Sequence, residues 1–330
     1  MVAMTLLNAV QADVGEEDDA SASECIWHCI PAEGLWSGEL LWLHEPRDVN
    51  LHHALKQVRN GKYKKPFALD SIRTRRLHFS LRYVQSEMLL DFPNALVFSY
   101  TRQMAGFLLF CPRPEKVVVV GLGGGSLTKF CHRQLPSARI TTVEIDPEVI
   151  AFGELFQLPA ESARHRIVQA DAAEYLPTLA NLADVVLLDG CDEQGIAPAF
   201  CDPEFFTRLR SRLRPQGMVV VNIIGLVGRA TTLLNNLRCA FADQVIVLNA
   251  RSADNRIVFA FNDPWMQPDW SQIEARAEGL TKQCGMDFHQ IARFLRTAAG
   301  MQLSGSYLPP LVPPRARSKR RAAIRRVFRE

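Results

Sequence analysis

Lys116 to Leu127 reads KVVVVGLGGGSL, and the next apolar run, Arg139 to Glu144, reads RITTVE. A β-branched run without polar alternation is what a parallel strand covered on both faces requires. The glycines behind it, Gly121, Gly123, Gly124 and Gly125, give a turn whose backbone a ligand can approach, and a helix opening at Ser126 points its unpaired N–H groups at the same place. Glu144 closes the second run 23 residues after Gly121, near the spacing at which a strand-end carboxylate accepts ribose hydroxyls. A glycine cluster alone could be a packing turn. Strand context, spacing and the acidic strand end together point to a nucleotide held by Gly121 to Gly125 and Glu144, and such a loop after the first strand occurs in NAD and AdoMet sites alike.

Outward from this stretch the periodicity alternates. Helices are expected over 98–110, 126–134, 147–156, 203–213 and 228–241. Strands are expected at 116–120, 139–144, 166–169, 184–189, 217–224, 244–249 and 256–262. Alternation means a doubly wound parallel sheet, and the two closing strands, joined by a short connection, imply an antiparallel last strand. The expected fold class is therefore α/β, with a seven-stranded, Rossmann-like sheet of the class-I AdoMet-methyltransferase type rather than a six-stranded dinucleotide fold. Ahead of it, a short helix from Leu51 breaks at Asn60-Gly61, and Arg76 to Leu90 reads as strands or a hairpin. The expected division is an N-terminal region at 1–75, partly flexible through the acidic stretch 13–24, and a domain at 76–264. That domain has a small β lead-in over 76–97 and the core over 98–264. A helical extension at 265–308 and a Pro-rich linker with a basic tail at 309–330 follow.

Bulk properties set the remaining bounds. No apolar run approaches the length of a membrane span, and the N-terminus has no signal-peptide pattern, so a cytoplasmic protein is expected. The eight cysteines are scattered without paired CxxC spacing, which reads as reduced thiols. Cys25, His28 and Cys29 lie close together but lack the fourth ligand of tetrahedral zinc, and no metal is expected. Net charge is +3, yet 315–330 carries +7, leaving −4 elsewhere. Such a tail could touch nucleic acid by counterion release, but no base-reading module accompanies it, and a solvated terminus is the preferred reading.

The other strand ends also carry carboxylates. Asp171-Ala172 follows the third strand of the alternation, where Asp171 can accept the exocyclic amine of an adenine or cap the next helix. Asp189 ends the fourth, with Asp192 three residues on. An acidic pair there suits an amine substrate, since a carboxylate can orient an attacking amine and take its proton.

With Gln85-Ser86-Glu87-Met88, Tyr100, GLGGGSL at 121–127, VEID at 143–146, QADA at 169–172 and LLDGCD at 187–192, the chain resembles the polyamine aminopropyltransferases, or spermidine synthases, in their shorter bacterial form. The resemblance covers about residues 76 to 262. It implies transfer of an aminopropyl group from decarboxylated AdoMet to a di- or polyamine, with release of methylthioadenosine. It implies that Glu144 binds ribose, Asp171 meets adenine beside Ala172, and the loop through Ser126 holds the rest of the cofactor. It further implies Asp189 as the catalytic acid/base, a groove lined by Asp192, Tyr100 and Gln85, and a homodimer. The chain departs from the family where the glycine loop lacks an aspartate and where Thr101-Arg102 follows Tyr100. Two other functions share these features. One is an AdoMet-dependent methyltransferase, in which Arg102 or the helix start near Ser126 would hold the cofactor's carboxylate. The other is a non-catalytic nucleotide-binding relative that uses its basic tail.

Overall fold

The computed structural model describes residues 24–33, 35, 38–180, 182–192, 195–225, 227–249 and 255–303. The acidic N-terminal stretch, but for Glu24, and the Pro-rich linker with the basic tail lie outside them. The chain opens with β1 (Cys25–Pro31), β2 (Leu40–Pro46), α1 (Leu51–Arg59), β3 (Phe67–Asp70), β4 (Thr74–His78) and β5 (Ser86–Leu89). These five strands form one antiparallel sheet in sequential order. One face buries Leu41, Leu43, Phe67 and Leu69 against Ala54 and Val58 of α1. The other packs Ala68, Leu77 and Met88 against Leu122, Val149, Phe152 and Phe156 of the following unit.

That unit contains α2 (Ser99–Met104), β6 (Lys116–Val120), α3 (Ser126–Gln134), β7 (Arg139–Glu144), α4 (Pro147–Ala151), β8 (His165–Gln169), α5 (Ala172–Tyr175) and β9 (Ala183–Leu188). It continues through the short hairpin β10 (Cys191–Asp192) and β11 (Gly195–Ile196), α6 (Phe205–Arg210), β12 (Leu213–Ile223), α7 (Val227–Ala240), β13 (Val245–Asn249) and β14 (Arg256–Phe261). Two helices, α8 (Trp270–Cys284) and α9 (Phe288–Leu303), follow. Its sheet has the order β13-β14-β12-β9-β6-β7-β8. β14 runs antiparallel to both neighbours, and the pairs from β12 to β8 are parallel. The seven-stranded methyltransferase-type sheet with its antiparallel last strand is thus the observed fold.

The KVVVV run shows why the pattern is unbroken. Val117 and Val119 enter the layer formed with Leu127, Phe130, Phe259 and Leu295, whereas Val118 and Val120 enter the opposite layer with Leu176, Phe205 and Leu233. Successive side chains of a strand point to opposite faces, so a sheet buried on both faces makes every position apolar. Each such burial contributes roughly 1.5–3 kcal/mol relative to exposure.

The differences from expectation are local, apart from the N-terminus. Strands begin at Cys25 rather than near residue 76, and the expected 75/76 boundary falls inside β4, so the lead-in is a five-stranded sheet and not a small element. Its strands are covered by α1 on one side and the central unit on the other, which blurs the alternation that marks a half-exposed strand. The helix expected over 98–110 is α2 followed by a 3-10 turn, Ala105–Leu109. The one expected over 147–156 stops at Ala151 and gives way to turns in which Gln157 has φ +55°. The one expected over 203–213 stops at Arg210, because Leu213 already pairs with Ala183 in β12.

Candidate functional site

Four adjacent strands end at one edge of the sheet: β9 leads to Asp189, β6 to Gly121, β7 to Glu144 and β8 to Asp171. With strands about 4.8 Å apart, Asp189 and Glu144 flank the glycine loop at a backbone separation of about 10 Å. Gly121 has φ +84°, and a Cβ there would stand 2.4 Å from the Asp189 carbonyl oxygen. Glycine is therefore what lets the ends of β6 and β9 close together. Gly125, at φ +69°, starts α3 over Leu158. Gly124 lies against the Phe156 ring and Ser86 Oγ, while a side chain at Gly123 would meet only Ser86, at ordinary van der Waals distance. With no side chain at Gly123, the backbone of the loop is open to approach by a ligand.

The Glu144 carboxylate is fixed by backbone donors. Leu122 N–H donates to Oε2 at 2.8 Å, and Ile145 and Asp146 N–H donate to Oε1 at 2.8 and 3.0 Å. A carboxylate has about four acceptor sites, so Oε2 retains one for a hydroxyl. Asp171 caps α5 through Ala173 N–H at 2.8 Å, and Ala172 is buried behind it. Ser126, half-buried, opens α3.

Asp189 is the chemically distinct member. Its Oδ1 accepts from Asn222 Nδ2 at 2.7 Å and its Oδ2 from Tyr100 OH at 3.2 Å. Asn222 in turn accepts from Asn255 Nδ2 at 2.8 Å, which fixes the amide with its NH₂ toward the carboxylate. Loss of water around the carboxyl raises its pKa from 3.8 to about 6, outweighing the opposing effect of the two hydrogen bonds. The group is therefore ionised at neutral pH yet within reach of protonation, as a general base should be.

Residues 97–224 match the spermine/spermidine synthase domain family. A polyamine aminopropyltransferase of Neisseria meningitidis serogroup A is 36% identical over 226 residues, covering 68% of this chain and 86% of the relative. The chain belongs to the polyamine aminopropyltransferase family. Two solved structures share the fold: a probable spermidine synthase from Corynebacterium glutamicum (20% identity, TM-score 0.55, 71% of this chain and 91% of that one), and a spermidine synthase in complex with the transition-state analogue AdoDATO (17% identity, TM-score 0.51, 67% of this chain and 85% of that one).

In this aminopropyltransferase the structure brings the glycine loop, Glu144, Asp171, Asp189 and Tyr100 to one edge. Gln85 immediately precedes Ser86, the residue that faces the loop, and its backbone N–H pairs with Leu77 at 2.9 Å. Asp192 sits in β10, in the hairpin that follows Asp189; its side chain lies outside what is described. Arg102 donates to the Leu96 and Val97 carbonyls at 2.8 and 2.7 Å, so its guanidinium is committed to the chain's own backbone. Sequence reasoning missed Asn222 and Asn255. Asn222 had a signal, being the one polar residue inside GMVVVNII. It also missed Lys129, buried beneath the loop, where Nζ donates to the Phe156 carbonyl at 2.7 Å and burial lowers its pKa to about 8. Lys129 thereby ties α3 to the Phe156 turn that walls Gly124. Among the described residues no cluster of His, Cys, Asp or Glu could hold a metal, and His28 is near the Pro46 carbonyl at 3.1 Å.

Proposed function

We propose that this aminopropyltransferase moves an aminopropyl group from decarboxylated AdoMet to a di- or polyamine and releases methylthioadenosine. The observation that carries the reading is Asp189: a desolvated carboxylate beside the glycine loop, held by Asn222 and Tyr100, with its pKa raised to about 6. The cofactor's sulfonium would supply an electrophilic carbon. The chain then has only to hold a neutral amine in line and accept its proton. Asp189 takes that proton. Glu144 accepts the ribose hydroxyls through its remaining site, Asp171 and Ala172 meet the adenine, and the backbone of Gly121 to Ser126 lies against the rest. Tyr100, Gln85 and Asp192 line the amine groove. The family likeness supports a homodimer, and the family assignment suits a cytoplasmic enzyme; no helix among the described residues is long and apolar enough to cross a membrane.

The anchoring of Arg102 supports the decarboxylated cofactor over intact AdoMet, because the Leu96 and Val97 carbonyls turn the guanidinium back onto its own chain through Nη1. Calorimetry with the two cofactors tests this. Decarboxylated AdoMet should bind at least tenfold more tightly; equal or tighter binding of intact AdoMet would favour methyl transfer.

A further inference from the structure

A cavity of about 630 Å³ lies at the opposite, amino edge of the same sheet, where β6, β7 and β8 begin. Lys116, Arg139, Arg164, Arg166 and Arg214 line it together with His165. Two of these cations are anchored, one by carbonyls and one by carboxylates. Arg164 donates to the Leu135 and Ala138 carbonyls just past α3, and Arg214 pairs with Glu115 and Asp184 at 2.8 and 3.2 Å. Of the guanidinium groups, Arg164, Arg166 and Arg139 have no carboxylate partner among the described residues. Arg166 is held by neutral groups only, Thr141 Oγ1 at 3.2 Å and Tyr175 OH at 3.0 Å. The Arg139 guanidinium, exposed at the start of β7, donates to no acceptor among the described residues. Burial, and then the charges of Arg166, Arg139 and Arg214, holds the Lys116 ammonium below its usual pKa against the opposing charge of Asp184.

Gathering like charges around a concavity works against the fold unless a counter-charge enters it. A second observation points the same way. His165 is 1% exposed and lines the cavity, yet neither ring nitrogen has a partner. A buried imidazole always presents at least one N–H, and such donors are normally satisfied.

We propose that this cavity binds a phosphate chain, either that of a nucleoside triphosphate or an inorganic polyphosphate of similar length. Planar guanidinium groups match phosphate oxygens in pairs, and the volume is within the range of small-molecule sites. Three guanidinium groups without a carboxylate partner among the described residues, Arg139, Arg164 and Arg166, suit a multivalent anion better than a single chloride or carboxylate. The site is separate from the cofactor edge, since the strands that begin here end at Gly121, Glu144 and Asp171.

The test is calorimetric titration of the full chain with inorganic tripolyphosphate and, separately, with ATP, at low and then raised ionic strength. One saturable site per chain is expected, weakening with salt. Arg139→Glu and Arg166→Glu should each reduce affinity at least tenfold, whereas replacing Arg325 and Arg326 of the basic tail by serine should change it less than twofold. Equal affinity for the two probes places recognition in the phosphate chain; tighter ATP adds the nucleoside to it. Should a charge reversal fail to fold, as a melting curve would show, Arg139→Gln gives the same reading with at least a threefold loss. Absence of saturable binding, unchanged affinity in the Arg139 variants, or loss confined to the tail variant would overturn the proposal.

Discussion

The two edges of the central sheet carry opposite charge on the same strands. β7 begins at Arg139 and ends at Glu144, and β8 begins at His165-Arg166 and leads to Asp171; β9 departs from this, with Asp184 near its start and Asp189 after its end. Much of this polarity is architectural. In a doubly wound sheet helices start at the carboxyl edge and finish at the amino edge, so carboxylates there meet helix N-termini and cations meet helix C-termini. Asp171 capping α5 and Arg164 reaching the carbonyls behind α3 are of this kind. The residues that architecture leaves unexplained are the informative ones. At the carboxyl edge that residue is Asp189, whose desolvation is only partly offset by two side-chain donors; at the amino edge they are Arg139, Arg166 and His165.

The comparison can be broken most severely at Asp189. Asp189→Asn keeps the shape and removes the proton acceptor, so turnover should fall about 10²- to 10⁴-fold, measured as kcat with saturating cofactor and amine. The melting temperature should not drop, since a disfavoured charge is removed. Normal turnover would reduce Asp189 to another architectural carboxylate. Next in size, Glu144→Ala should weaken cofactor binding about 10- to 100-fold, the scale of one or two charge-assisted hydrogen bonds, with Kd read by calorimetry.

The smaller effects concern pH. Because the Asp189 pKa is raised to about 6 and the ionised form is the base, activity should be lost as pH falls through about 6 and be level above it. Asn222 stabilises the ionised form. Asn222→Ala should therefore move the acid limb of the kcat profile upward by about one unit, a displacement that mere loosening of the fold would not produce. Tyr100→Phe, which removes the longer bond, should move it about half as far; a downward shift in either variant would contradict the assignment.

What the sequence showed of this site was whatever local pattern encodes. The β-branched run, the glycines and the acid at the end of RITTVE are neighbours in sequence, and the fold that follows from them is the fold observed. The partners of Asp189 are not local. Tyr100 comes from α2 and Asn222 from β12, with Asn255 just before β14, and only the close packing of β14, β12 and β9 joins them. The five-stranded sheet was hidden for the opposite reason, since two covered faces leave little alternation to read. Arg102 was misleading, because its type suggested a ligand for a carboxylate while its position lets it satisfy the carbonyls just upstream.

The central claim is tested most directly by mass spectrometry of the products formed from decarboxylated AdoMet and a panel of diamines. Methylthioadenosine together with an aminopropylated amine, both abolished in Asp189→Asn, is the predicted result. A methylated product formed from intact AdoMet, with no product from the decarboxylated cofactor, would contradict it.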